Sequence, residues 1–287
     1  MPEVILDILL DTVFDSLKML PFLFAAYLII EYIEQRHSAA MERLLAESGK
    51  FGFLTAGLLG LIPQCGFSAM AAELYAGNVI TAGTLIAVFL ATSDEAVPIL
   101  IASPELWGVL SKLLALKFVT AVLGGILTDY FLKKIAPSGF FGGYRGRMDE
   151  VNCSEHREEE SIVRAAVRHT LNIFFWIAGC ILALNCIMEF FGGTVLTAFL
   201  RIPGVLQIAA AGLVGLIPNC AASVLLTQLY SSGSISFAAL FSGLSVGSGV
   251  GTLVLLRSLK NKKKAAAILF LTYCIGTGAA LLLAPFL

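Results

Sequence analysis

Two short runs place an amide and a thiol directly after a proline. Pro63-Gln64-Cys65 is followed by Ser68, and Pro218-Asn219-Cys220 is followed by Ser223. The flanks match as well. Gly57-Leu58-Leu59-Gly60-Leu61-Ile62 recurs as Gly212-Leu213-Val214-Gly215-Leu216-Ile217, and Glu73-Leu74-Tyr75 as Gln228-Leu229-Tyr230. Proline lacks an amide hydrogen and frees carbonyls in the preceding turn. Gln64 and Asn219 can bind those carbonyls or a ligand. A helix resuming near Gly66 or Ala221 presents free N–H groups and the positive end of its dipole, which attract an anion. The freed carbonyls and the thiols of Cys65 and Cys220 suit a cation instead.

A second constellation is Thr92-Ser93-Asp94-Glu95-Ala96-Val97-Pro98, inside another apolar run. Two adjacent carboxyl groups deep in a membrane are costly and are functional by default. They could ligate a cation or carry a coupling proton. The alternative is a helix that ends early and leaves the pair among the headgroups. The matching stretch, Gly247-Ser248-Gly249-Val250-Gly251, has no charge. The site is expected to take charge from one half and close backbone approach from the other. Lys117 lies inside a further apolar run and needs a partner, for which Asp94, Glu95 or Glu31 could serve; otherwise it snorkels to the interface. Glu31 and Glu189 stand near the ends of their runs.

The elements that position these groups follow from composition. The 287 residues are 58% hydrophobic and 14% charged, against ~25% charged in soluble domains. Residues 202–256 contain no Asp, Glu, Lys or Arg, and neither do residues 265–287. Apolar runs above ~18 residues read as membrane spans. The fold class is an all-α polytopic membrane protein. The N-terminal stretch is acidic before Lys18, unlike a secretory signal, and reads as an amphipathic surface helix. No Gly-rich loop ending in Gly-Lys-Ser/Thr and no Ser-His-Asp or His-Glu-x-x-His set is present, so neither ATP hydrolysis nor another enzymatic activity is expected. Cys153 and His156 cannot close a zinc site alone. The six cysteines suggest no disulfide framework.

Four apolar segments per half are expected, near 14–33, 51–75, 79–101 and 107–131, then 170–190, 204–230, 234–256 and 265–286. Basic residues crowd 133–168 and 257–264, and positive loops stay cytoplasmic. If every segment between them crossed, the two loops would face opposite sides. One segment must therefore return to the side it entered. The repeated segment with its proline break is the candidate. Its arms of about a dozen residues reach ~18 Å each, against a ~30 Å hydrocarbon core. Such non-helical backbone is tolerated only inside protein or beside a water-filled cavity. Three crossings and one re-entrant broken hairpin per half make an inverted repeat of ten helical segments. The organisation is a first repeat over 1–132, a cytoplasmic linker loop over 133–168 and a second repeat over 169–287, with both termini extracytoplasmic. Paired interruptions of this kind point to the substrate site of a secondary transporter.

Leu61-Ile62-Pro63-Gln64-Cys65-Gly66-Phe67-Ser68, together with Phe89-Leu90-Ala91-Thr92-Ser93-Asp94-Glu95-Ala96-Val97-Pro98, resembles the prokaryotic family of ten-helix heavy-metal exporters. Its members are described variously as arsenic efflux proteins or manganese transporters. The resemblance implies export across the cytoplasmic, or inner, membrane. Arsenic(III) favours three soft thiolates, and the tips supply Cys65 and Cys220. Manganese favours oxygen ligands, which Asp94, Glu95, Gln64 and Asn219 supply. The expected substrate-binding set is Gln64, Cys65, Ser68, Asn219, Cys220, Ser223, Asp94 and Glu95. Within it, Cys65, Cys220, Asp94 and Glu95 are the metal ligands. Asp94, Glu95, Lys117 and Glu31 are the coupling or counter-charges. The competing expectation is an exporter of organic or lipid-linked anions held by converging helix N-termini and Lys117. The expected partners are membrane lipid and a small ion or small-molecule substrate, with a homodimer left open. No nucleic acid and no cofactor is expected beyond a bound substrate ion.

Overall fold

The structure is a computed structural model. It describes residues 52–63, 65–93, 96–135, 203–218, 220–259 and 261–286, with isolated positions between 21 and 45 and between 163 and 175. Among these residues every regular element is helical. The first half contains α1 (Gly52–Leu59), α2 (Cys65–Ala76), α3 (Ala82–Ala91), α4 (Ala96–Ala102), a 3-10 turn over Pro104–Leu106 and α5 (Trp107–Ile135). The second half contains α6 (Gly204–Gly215), α7 (Cys220–Ser231), α8 (Phe237–Val246), α9 (Val250–Ser258) and α10 (Lys262–Leu283). Among the described residues, four stretches are long and apolar enough to cross a membrane: Ala82–Ala102, Pro104–Leu132, Phe237–Ser258 and Lys262–Leu283. The chain is a multi-pass, all-helical membrane protein.

The breaks lie where the local chemistry puts them. Pro63 and Pro218 follow tight turns in which Ile62 N donates to Leu59 O (3.1 Å) and Ile217 N donates to Val214 O (3.1 Å). The third segment of each half is also cut in two, after Ala91 and after Val246. Gly249 in the second cut takes φ 51 and ψ −129, a conformation open to glycine but strained for other residues.

Packing sorts interrupted helices from continuous ones. The apolar window of α3–α4 is 94% buried in protein and that of α8–α9 is 78% buried, whereas those of α5 and α10 are 33% and 28% buried. The interrupted segments are therefore enclosed, which is where freed backbone groups can be satisfied. Continuous α5 and α10 show large apolar side chains outward, among them Val119, Leu123, Phe270 and Leu282. Small residues allow the close approach on which helix association in lipid depends. A Cβ on Gly215 would lie 2.1 Å from Gly243 O, and one on Gly83 would lie 2.4 Å from Gly125 O.

The same pairings recur in the two halves. Helix α1 packs on α3 and α5, and α6 packs on α8 and α10. Helix α2 packs on α9 of the second half, and α7 packs on α4 of the first. At one end of the bundle, the Asp129 carboxylate of α5 accepts from Thr81 Oγ1 (2.7 Å) and Gly83 N (2.9 Å), capping the start of α3. Lys264 Nζ, in the first turn of α10, lies 5.0 Å from the ring centroid of Tyr75, in the last turn of α2. Lys133 and Lys134 in the last turn of α5 and Lys262–Lys264 at the start of α10 therefore share this end. At the start of α8, Gln207 of α6 donates from Nε2 to Ser234 O (3.3 Å) and accepts from Ser236 N (3.1 Å). Helix α6 thus begins beside the connection that follows α7.

Candidate functional site

Each interrupted segment brings its break against another. A Cβ on Gly60, at the end of α1, would lie 2.7 Å from Ala91 Cβ and 3.2 Å from Val88 O, in the last turn of α3. The turn 60–63 therefore sits at the C-terminal end of α3. In the second half a Cβ on Gly247 would lie 3.5 Å from Gly215 O, so the turn 216–218 sits at the C-terminal end of α8. The ends of α3 and α8 are joined by one side chain. Lys117 of α5 donates from Nζ to Thr92 O (2.6 Å) and to Leu244 O (2.5 Å).

Lys117 is fully buried, at 0% exposure. Its ammonium is held among protein groups, which excludes snorkelling to the interface. Two backbone carbonyls accept from it, while the carboxylates expected from the sequence, Asp94, Glu95 and Glu31, lie outside the described residues. A helix leaves its last carbonyls without intrahelical donors, and these carry the negative end of the dipole. Two such ends meet here, and the lysine satisfies one carbonyl of each.

Ser68 and Ser223 are both buried. A Cβ on Gly251 would lie 2.8 Å from Ser68 Cβ. The first turn of α2 thus meets the first turn of α9, and the Gly-rich break does supply the close backbone approach expected of it. Within that break Ser248 and Thr252 share a 2.6 Å hydroxyl hydrogen bond, and Gly251 N donates to Ser248 O (3.0 Å). Across the other break, Ala96 N donates to Ser93 O (3.1 Å). The fully buried hydroxyl of Ser245, in the last turn of α8 before the second break, has no hydrogen-bond partner among the described residues.

Gln64, Asp94, Glu95, Asn219 and Glu31 lie outside the described residues, as do the side chains of Cys65 and Cys220. So do the first apolar segment near 14–33, the segment near 170–190 and most of the linker over 133–168, apart from isolated positions. What the structure brings together is the immediate surroundings: residues 60–63, 92–93, 216–218 and 247–251, with Lys117 among them. No group of three or more His, Cys, Asp or Glu side chains is gathered among the described residues. Cys274 is an exposed free thiol on α10.

Sequence reasoning missed two groups that hold the frame. Asp129 and Gln207 tie the starts of α3 and α8 to neighbouring helices. The available signal was a polar side chain near the end of an apolar run, matched across the packing by a Thr or Ser before the next run.

No curated protein and no solved structure matches the chain. A family model described as "Putative, 10TM heavy-metal exporter" matches residues 4–140 and 141–249. With most of the chain covered by that match, the protein belongs to this family of ten-helix heavy-metal exporters.

Proposed function

We propose that the chain is a secondary-active exporter of a metal or metalloid ion, coupled to protons or another ion, with its cargo held where the two Pro-amide-Cys turns face the interrupted third segments. The carrying observation is the meeting of α3 and α8 at Lys117, with turns 60–63 and 216–218 packed against those same helix ends. In this reading residues 1–132 and 169–287 form an inverted repeat. Each contributes three crossings and one re-entrant hairpin, α1–α2 in the first half and α6–α7 in the second. The recurrent pairings support it, as does the start of α6 beside the end of α7. Residues 133–168 then form a cytoplasmic linker between the repeats. Gln64, Cys65, Ser68, Asn219, Cys220 and Ser223 line the cargo site, and Asp94 with Glu95 supplies charge that can bind a cation or exchange protons. The setting is the inner membrane of a prokaryote, with both termini extracytoplasmic.

The organic-anion reading draws on the neighbouring starts of α2 and α9, where helix N-termini favour negative charge. Lys117 counts against it, because two of its three donors already point at carbonyls. Purified protein in proteoliposomes decides between the readings. Flux of Mn(II), driven by a pH gradient and faster than that of arsenite, is the expected result. Movement of an organic dicarboxylate with no movement of either metal species would select the anion reading.

A further inference from the structure

We propose that the ammonium of Lys117 is a tethered cation, filling a cation site that α3 and α8 form between their C-terminal ends. Thr92 is the residue that caps α3, and Leu244 lies in the last turn of α8. The amide of Gly247 returns to Gly243 O, and the next amide in register, Ser248 N, belongs to the break. Leu244 O is therefore one of the carbonyls a helix end leaves over. Each helix end carries roughly half a negative charge. Two ends facing one another in a water-poor interior repel unless a positive charge lies between them. In transporters built from discontinuous helices, unwound carbonyls and half-helix C-terminal ends hold a coupling cation. Here the same oxygen chemistry is met by a side chain reaching in from α5, at 2.5 and 2.6 Å.

The consequence is functional. A free cation at this point would come and go with the ionic composition on either side. A tethered one keeps the two breaks side by side whatever the sodium or potassium concentration. Lys117 is thus a positioning residue: it fixes the spacing of the two halves at the cargo site without itself being cargo or coupling ion. The inference stands on backbone geometry and does not depend on which substrate is carried.

The test is chemical rescue, read by thermal unfolding of the purified protein. Lys117→Ala leaves room for a small cation, whereas Lys117→Met fills the same space without charge. In N-methyl-D-glucamine chloride both variants are expected to unfold below the wild type. Ammonium or methylammonium chloride should raise the Tm of Lys117→Ala saturably, by several degrees. Wild type and Lys117→Met should not respond. An Ala variant as stable as wild type in N-methyl-D-glucamine would overturn the proposal, because no charge would then be needed between the helix ends. So would an Ala variant that ammonium and methylammonium fail to stabilise, or one that cannot be recovered folded in their presence.

Discussion

The double substitution Asp94→Asn/Glu95→Gln is expected to abolish transport while leaving the yield of folded protein unchanged or improved. Burying a charged carboxylate near the centre of a span costs about 2.5–3.5 kcal/mol on insertion scales. A neutral amide of the same shape costs less, so the change relieves the fold rather than straining it. What it removes is the group that binds a cation or changes its proton count. Loss of an outer-shell partner alone lowers metal affinity by roughly 10–100-fold, and removal of two charged ligands should exceed that. Full, pH-dependent Mn(II) flux by Asp94→Asn/Glu95→Gln in proteoliposomes would remove the coupling role and put the anion reading ahead.

Labelling from outside the cell should give an all-or-none pattern. On a cysteine-free background, Ser154→Cys is expected to ignore an impermeant maleimide in intact cells and to react after permeabilisation. Glu105→Cys is expected to react without permeabilisation. The argument joins charge to contact. The end of α5 and the start of α10 carry Lys133, Lys134 and Lys262–Lys264. The Asp129 cap on α3 and the approach of Lys264 to Tyr75 bring these elements to one end of the bundle. Positive loops are retained in the cytoplasm. Glu105 lies toward the other end, next to Trp107, whose exposed ring donates from Nε1 to Ile101 O (3.0 Å) and suits a membrane interface. Reaction of Ser154→Cys in intact cells would remove the inverted-repeat reading.

The helix breaks were legible because their causes are local. Pro63 and Pro218 each stop a helix, and the turns before them close alike. The glycines of 247–251 likewise announce a cut in an apolar run, and Gly249 takes the positive φ that only such a residue adopts readily. Phe118-Val119-Thr120 of α5 also recurs as Phe270-Leu271-Thr272 of α10, and Thr120 and Thr272 are both buried while Val119 and Phe270 face outward. The carbonyls that accept from Lys117 were not legible. Sequence shows side chains, and helix-end carbonyls come together only once the breaks of two distant segments meet. Gln207 was hidden for the same reason, because it bonds the backbone of Ser234 and Ser236. Ser245 carried no signal at all in a helix rich in small residues.

The position of the cargo tests the account most directly. Crystals of the purified protein grown with Mn(II), measured at the manganese absorption edge, should show one anomalous peak per repeat pair. It is expected between the turns at 63–65 and 218–220, within ligand distance of Asp94 or Glu95, and absent from crystals of Asp94→Asn/Glu95→Gln. A peak confined to the membrane surfaces, or an organic molecule occupying the turns in protein that transports no metal, would contradict it.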